Sequence, residues 1–379
     1  MARGSSVLEQ VRSTQPQIAD ILSCQLENHD LPSTMLFSGP RFSGKMHCAY
    51  QLARELSSVK EGSLAISSNR DFQYQIDFAI ECFRSSPTVS TCDFLIENMD
   101  IFLGQFHNAL ATDDRGQKPY DCAAQIVELM HDIRKIPAEE LNSWADSLSS
   151  AFQDTLKALG SQKYQKKNGI LTIDQVRSIQ EWSYLTNMGK GKKTIILEGI
   201  EDANESTRNS LLKILEEPPE GTVFILITQF PERMMNTILS RTRRYLFSPI
   251  SSEAKCKLLR TLGQTDSNSS ESLEDFFINS VSSKVPELNK LASGFINDPD
   301  FDLLALISKV EETKLSGVFF KALASEVEDE FRSGRISAHK ASAMLGNISS
   351  TASRAEVFNQ NPKLTIEGLF YQLRDKELR

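Results

Sequence analysis

The most constraining part of this sequence is the stretch from Asn209 to Thr242, which reads NSLLKILEEPPEGTVFILITQFPERMMNTILSRT. Its first part has the apolar spacing of a helix. Pro218-Pro219 end that helix, because proline has no amide donor and biases the residue before it away from helix. The apolar run from Val223 to Ile227 predicts a buried central strand, and Arg241 follows a second short helix. This order is typical of an α/β domain, and nothing in the stretch is suited to bind a metal or to act as a nucleophile.

A glycine-rich loop upstream gives the second constraint. Met35-Leu36-Phe37 is an apolar strand that runs directly into the sequence GPRFSGK, and a helix with one apolar face follows. Strand, glycine loop and helix are the setting that a phosphate-binding loop requires. The GxxxxGK pattern makes Gly39, Gly44 and Lys45 the candidate nucleotide-binding residues.

The position after the lysine departs from a working phosphate-binding loop. Such loops carry Ser or Thr there to hold Mg²⁺, whereas this chain carries Met46, and a thioether is a poor ligand for a hard cation. Two interpretations stay open. The loop holds ATP or ADP without hydrolysis, or it is empty and keeps only its shape as a joint between strand and helix.

The rest of the chain predicts further α/β structure followed by helices. The run Thr194 to Leu197 predicts a buried strand, Asp174 and Asn204 are candidate N-caps of helices, and strands alternating with helices predict a parallel sheet covered on both faces. Residues 57–169 interrupt this pattern with apolar residues at helical spacing, which predicts a helical insertion closed by a basic loop at 161–169. After Pro249 no strand is predicted. We therefore expect domains at residues 1–249, 250–308 and 309–379.

Composition excludes several classes of protein. A net charge of −8 over 379 residues argues against a surface that binds nucleic acid everywhere, so contact with DNA would be local or made through a complex. The six cysteines are scattered without a Cys-x-x-Cys pair, which is typical of reduced cytosolic thiols, and neither they nor the histidines have the spacing of a metal site. No apolar run approaches the ~20 residues of a membrane span, and the N-terminus lacks the apolar core of a signal peptide. We expect a cytoplasmic protein without zinc or another metal.

Four segments together resemble one family. LFSGPRFSGK, TIDQVRSIQEW, NSLLKILEEPP and TILSRT occur in the order found in the sliding-clamp-loader ATPases of DNA replication, and the tail NPKLTIEGLF resembles the last helix of their oligomerisation collar. The resemblance implies an AAA+ P-loop domain with a parallel sheet and the helical insertion, then a helical lid and an all-α collar. The family's four-cysteine zinc module has no counterpart, because the insertion takes its place and Cys82 and Cys92 are too few and badly spaced.

The resemblance also assigns roles to individual residues. Arg241 stands at the arginine of the family's Ser-Arg-Cys signature, which implies an arginine finger that acts in trans on a neighbouring subunit's ATP. The family's Asp-Glu pair falls on Glu198 and Gly199, so a carboxylate remains for Mg²⁺ but the one that activates water is lost. Thr228 falls at the nucleotide-sensing position. A degenerate site with a retained arginine resembles the delta-prime type of subunit in the bacterial DNA polymerase III clamp loader.

Several alternatives remain open from the sequence. Arg241 could instead pair with local carboxylates, and the basic turn at Lys190, Lys192 and Lys193 could be a solvated loop or contact DNA phosphate. The delta-prime resemblance implies as partners the motor ATPase subunits, a delta-type wrench subunit, the sliding clamp and, through the complex, primer-template DNA. The rival interpretations are an active motor-type ATPase with unusual ligands and a non-replicative adaptor that uses the insertion to bind another protein.

Overall fold

The computed structural model describes residues 8–57, 64–68, 73–110, 118–160, 171–185, 191–264, 273, 276, 285–298, 301–313, 316–357 and 361–374. The chain divides into two compact units, Met1–Phe277 and Ile278–Arg379. The basic loop predicted at 161–169 and Lys190 lie outside the described residues. The predicted division into three domains, with boundaries near 250 and 308, stays a prediction.

The first unit is built on a five-stranded parallel sheet in the order β2-β3-β4-β1-β5. The strands are β1 Thr34–Ser38, β2 Leu64–Ser67, β3 Lys193–Glu198, β4 Thr222–Thr228 and β5 Arg243–Leu246. The central strands β1, β3 and β4 are buried along their whole length, as expected for strands that have helices on both faces. These three are the strands that the apolar runs predict, and the predicted α/β class is confirmed.

Two of the strands are not predicted by the sequence. β2 is four residues long and lies inside the interval that we expected to be a helical insertion, yet it pairs with β3 at the edge of the sheet. The insertion that interrupts the sheet domain therefore begins after β2. β5 is an edge strand in which only Tyr245 is buried, so its sequence has no apolar run and its two arginines resemble a basic surface segment.

Helices cover both faces of this sheet. In chain order they are α1 Leu8–Arg12, α2 Pro16–Glu27, α3 Lys45–Leu56, α4 Gln73–Ser85, α5 Val89–Leu103, α6 Lys118–Ile133, α7 Leu141–Gly160, α8 Ile173–Tyr184, α9 Glu205–Glu216, α10 Asn236–Leu239 and α11 Ser252–Thr261. Side chains of a strand alternate between faces, so Met35 and Phe37 of β1 join the core formed with α1–α7, whereas Leu36 joins the core formed with α8–α10. The insertion helices α4–α7 thus share the face that carries α3.

Of the two predicted helix N-caps, the structure confirms one and corrects the other. The Asn204 side chain accepts a hydrogen bond of 2.8 Å from the amide of Thr207, so the predicted cap of α9 is confirmed. Asp174 does not cap α8. Thr172 does so instead, in a capping box with Gln175, because the helix begins two residues earlier than the carboxylate suggested.

The described part of the second unit is helical. Its helices are α12 Val285–Asn297, α13 Leu303–Thr313, α14 Ser316–Arg332, α15 Ala338–Val357 and α16 Pro362–Leu373. Phe295 lies at the centre of an aromatic cluster, with edge-to-face ring contacts at centroid distances of 5.9 Å to Phe301, 5.6 Å to Phe319 and 5.0 Å to Phe370. These contacts join α12, α14 and α16 into one small core.

Candidate functional site

The glycine loop has the tight shape that its sequence predicts. It leaves β1 after Ser38 and enters α3 at Lys45, with Gly44 in the left-handed region at φ 84°. Gly39 has φ 148°, and a Cβ atom there would lie 2.3 Å from the carbonyl oxygen of Phe247. A side chain at Gly39 is therefore excluded by the segment that follows β5.

The lysine of the loop is turned toward the loop itself. Lys45 is 4% exposed, and its Nζ donates to the carbonyl oxygens of Gly39, at 2.7 Å, and of Pro40, and to Ser43 Oγ at 3.2 Å. Carbonyl oxygens thus bind the ammonium group that would meet phosphate in a working loop. The structure brings Gly39, Gly44 and Lys45 together as predicted, in an arrangement closed by internal hydrogen bonds.

Met46 packs in the apolar core and offers no ligand for Mg²⁺. Its side chain is 6% exposed and belongs to the apolar core that contains Cys48 and Ala49. The position at which a hydroxyl would hold Mg²⁺ therefore contributes packing instead.

The predicted residues Glu198 and Thr228 lie at the carboxyl ends of the strands, the end of the sheet from which the glycine loop also begins. The register pairs Ser38 with Thr228 and Ile227 with Glu198, so the carboxyl ends of β1, β4 and β3 are adjacent. Glu198 is buried and accepts a hydrogen bond of 2.6 Å from Ser68, which follows β2. The sheet therefore brings Glu198 and Thr228 to the edge where the glycine loop begins, as the α/β prediction requires.

The residue after Glu198 has no side chain and a special backbone conformation. Gly199 has φ 75°, in the left-handed region, and begins a single 3-10 turn, Ile200–Asp202. A carboxylate at this position would need a non-glycine residue in a conformation that costs about 1–2 kcal/mol. The turn carries the chain away from the strand direction directly after Glu198.

Thr228 contacts a carboxylate that the sequence analysis did not select. Its Oγ1 donates to Glu201 Oε1 at 2.7 Å and accepts from the amide of Phe230 at 3.0 Å. Burial raises the pKa of Glu201, and its buried Oε2 has no hydrogen-bond partner in the part of the chain that the structure describes. No local pattern marks this pair, because the two residues are 27 positions apart and meet only through the pairing of β3 with β4.

The insertion is fastened to the helix that follows the glycine loop. On α5, Glu97 is hydrogen-bonded to His47 Nδ1 and accepts from Gln51 at 2.8 Å, and one turn later Asp100 accepts from Tyr50 at 2.6 Å. Burial alone lowers the pKa of His47, but the charge and hydrogen bond of Glu97 outweigh it, so the pKa lies above its ordinary value. Two carboxylates on one face of α5 therefore fix it along α3.

A cavity of about 440 Å³ lies in front of the glycine loop, within the first unit. The loop, α1, α5 and α11 line it, and α5 contributes the carboxylates Asp93 and Glu97 together with the aromatic ring of Phe94. An anion in this cavity would face carboxylates from the insertion, while the amine of Lys45 is turned to the loop carbonyls. His47 and Lys257 also line the cavity, so its wall carries basic as well as acidic side chains.

Arg241 lies at the amino ends of the strands, whereas the glycine loop begins at their carboxyl ends. Its carbonyl oxygen accepts a hydrogen bond of 2.7 Å from Thr34, the first residue of β1, and the loop follows the last residue of that strand. The guanidinium donates to the carbonyl of Thr237 at 2.9 Å and forms an ion pair with Glu216, the last residue of α9. The Arg241 side chain is 32% exposed, so one side of it reaches solvent.

The basic turn before β3 differs from the expectation of a solvated loop. Lys193 is 5% exposed, and its Nζ donates to the carbonyl oxygens of Trp182, at 2.6 Å, and Leu185. It closes the C-terminal end of α8, where cations are favoured, and it also lies 5.1 Å from the Trp182 ring centroid. For Lys193 the sequence interpretation was wrong, because β3 begins at this residue and draws it into the sheet.

Metal and thiol chemistry have little support among the described residues. These contain no group of three or more His, Cys, Asp or Glu side chains arranged to hold a metal ion. The cysteines are free thiols, and burial raises the pKa of Cys92 to about 11 and that of Cys82 to about 12. In the described part of the chain, no helix combines the length and apolar character needed to cross a membrane.

Comparison with known proteins gives the same family as the motifs. Residues 106–251 match the family model described as DNA polymerase III, delta subunit. The chain is 36% identical over 80 residues to DNA polymerase III subunit delta' of Bacillus subtilis, which covers 21% of this chain and 24% of the relative. It is 41% identical over 71 residues to subunit delta' of Pseudomonas aeruginosa, which covers 19% of this chain and 22% of the relative. The chain is a homologue of delta-prime clamp-loader subunits.

These alignments span about a quarter of the delta-prime relatives' own length. A further relative, DNA polymerase III subunit tau of Bacillus subtilis, is 35% identical over 82 residues, which covers 22% of this chain and 15% of the relative. Among solved structures, a DNA polymerase III gamma subunit-related protein from Thermotoga maritima is 19% identical, with a TM-score of 0.32, and covers 56% of this chain and 82% of that chain.

Proposed function

We propose that the chain is a delta-prime-type stator subunit of a replicative clamp loader. In this role it supplies Arg241 to the ATP bound by a neighbouring motor subunit. Its partners in the complex are motor ATPase subunits, a delta-type subunit, the sliding clamp and, through the assembly, primer-template DNA. The family match and the delta-prime relatives support the type of subunit.

The observation that carries the arginine role is the placement of Arg241 relative to the chain's own glycine loop. Thr34, at the amino end of β1, holds the Arg241 carbonyl, whereas Gly39 follows the carboxyl end of the same strand. The four steps from Thr34 to Ser38, at about 3.3 Å each, separate the two edges by about 13 Å. An arginine at the amino ends of the strands cannot reach a nucleotide bound by the loop at their carboxyl ends. A triphosphate that meets this guanidinium belongs to another molecule.

The chemistry of guanidinium suits this role. Arg241 is permanently charged and presents a planar set of donors that matches phosphate oxygens, and its partial exposure leaves it accessible at the surface of the first unit. An arginine finger of this kind stabilises the charge that develops on the transferred phosphoryl group.

We further propose that the chain does not hydrolyse ATP itself. Hydrolysis needs a magnesium ligand after the loop lysine and a carboxylate that orients water. Here Met46 is packed in the core, Gly199 has no side chain, and Lys45 is bound to the loop carbonyls. Glu201, the nearest carboxylate after Gly199, is engaged with Thr228.

The test is Arg241→Ala in a loader reconstituted with motor subunits and clamp. We expect normal assembly, with ATP turnover at the adjacent motor site lowered by about 10³-fold or more, as for other arginine fingers. Arg244→Ala is the matched control, because Arg244 is an exposed arginine three residues away on β5. Unchanged clamp-stimulated hydrolysis in the Arg241→Ala complex removes the finger role.

A further inference from the structure

Arg241 is held by two different kinds of contact. Its backbone is fixed, because the amide donates to Ile238 at 3.1 Å and the carbonyl accepts from Thr34 at 2.7 Å. The far end of its side chain is held by Glu216, which belongs to a different helix and lies 25 positions away in sequence. The guanidinium direction is therefore set by a carboxylate that α9 delivers.

That direction leaves one of the arginine's donors unpaired. Among the residues that the structure describes, the buried Arg241 Nε–H has no hydrogen-bond acceptor, whereas buried donors in proteins are almost always paired. The ion pair with Glu216 and the hydrogen bond to the Thr237 carbonyl both favour this side-chain direction.

The helix end that provides Glu216 is itself well fixed. Glu216 closes α9, and the prolines at 218 and 219 stop the helix there, before β4 begins at Thr222. The position of the carboxylate thus depends on the packing of α9, through Leu211, Ile214 and Leu215, and not on a mobile loop.

From these contacts we infer that Glu216 is a positioning residue for Arg241. It holds the guanidinium in position at the amino ends of the strands. When the neighbouring subunit's ATP is present, its phosphate oxygens replace the Glu216 carboxylate as the partner of the guanidinium. The inference rests on the proposed function, since it concerns the same arginine.

Exchange between the two anions is chemically reasonable. Carboxylate and phosphate oxygens present similar acceptors to the guanidinium fork, so the orientation that suits Glu216 also suits a phosphate. The Glu216 side chain is 47% exposed, and ion pairs at such exposure are weak and readily broken. The carboxylate therefore restricts the free arginine to a useful rotamer without competing strongly once the triphosphate is in place.

The experiment uses the reconstituted loader and compares three variants of this chain. Glu216→Ala should lower kcat for ATP about 2- to 5-fold and leave KM unchanged, the size expected when a partly exposed ion pair no longer orients the reacting group. Glu216→Gln retains a hydrogen-bond acceptor and should recover part of the rate. Glu217→Ala is the matched control, because Glu217 is the next residue, is also exposed at the helix end, and should have the wild-type rate.

A merely structural role is separated by a double-mutant cycle. Glu216→Ala should have no further effect on kcat in an Arg241→Ala background, because a positioning residue acts only through the residue that it positions. If Glu216→Ala matches Glu217→Ala while Arg241→Ala is slow, the positioning role is overturned and the finger remains. If Arg241→Ala has the wild-type rate, the proposed function itself fails. An additive effect of Glu216→Ala in the double variant also overturns the inference.

Discussion

Restoring the two missing catalytic groups should cost stability and bring no ATP turnover. The double variant Met46→Thr/Gly199→Glu supplies the hydroxyl and the carboxylate that the proposed function takes to be missing. Both positions have other structural requirements: Met46 packs in the core, and Gly199 has φ 75°, in the left-handed region. In addition, Lys45 is bound to the loop carbonyls, and α5 places Glu97 in the wall of the cavity. The double substitution changes neither of these features.

The expected magnitude follows from the burial and backbone conformation of the two sites. Met46 is 6% exposed. Removing most of its side chain should cost about 2 kcal/mol, the lower end for buried methionine, because the new hydroxyl can face the cavity. A glutamate at left-handed φ should cost about 1–2 kcal/mol. If the two effects add, the free energy of unfolding falls by about 3–4 kcal/mol.

Tryptophan fluorescence during urea unfolding measures this loss in the first unit alone. The chain contains two tryptophans, Trp144 and Trp182, and both belong to that unit. With an m value of about 2–3 kcal/mol per molar urea, the midpoint should fall by about 1–2 M. Met46→Leu, which conserves volume and apolar character, is the control and should lose less than about 1.5 kcal/mol.

Two results would refute this reasoning. A double variant with the wild-type unfolding midpoint would mean that neither position is built as the structure indicates. Magnesium-dependent ATP turnover by the double variant, abolished by Lys45→Ala, would mean that the loop and the α5 carboxylates do not prevent catalysis. The second result would favour the rival interpretation of a motor-type ATPase scaffold.

Two further predictions concern the glycine loop and the helix that follows it. The raised pKa of His47 means that its pair with Glu97 stabilises the fold fully below the ordinary value of 6.5 and loses this effect as pH rises through the folded-state pKa. The urea midpoint of wild type should therefore exceed that of His47→Gln by more at pH 6 than at pH 8.5, and a difference independent of pH would contradict the ion pair. Gly39→Ala should lower the melting temperature of the first unit by about 4–8 °C, because its Cβ would meet the Phe247 carbonyl and the strain costs about 2 kcal/mol. Wild type is the reference, and an equal melting temperature of the first unit in wild type and Gly39→Ala would show that the loop tolerates a side chain.

Local sequence patterns predict the elements whose signals are strong and short-range. The apolar runs predict β1, β3 and β4, the GxxxxGK pattern predicts the shape of the loop, and Asn204 is the cap of α9. The patterns do not predict β5, because it has no apolar run, and β2 was missed because its short apolar run lies in the interval assigned to the helical insertion; both are edge strands that the strand beside them stabilises. Lys193 was also misinterpreted. Its burial follows from the position of β3 in the sheet, which no neighbouring residue encodes.

The sequence by itself determined which chemical groups this protein has: a GxxxxGK loop followed by Met46, a buried strand that ends in Glu198-Gly199, and Arg241 in a segment that resembles a clamp-loader motif. Tertiary structure decided where these groups lie. Parallel strand order and register place Glu198 and Thr228 beside the glycine loop and Arg241 at the far edge. The same packing brings Glu216 to Arg241 and the carboxylates of the insertion to α3. The physical reason is that motifs are set by neighbours in the chain, whereas these pairings join residues 25 to 207 positions apart through the packing of buried strands and helices.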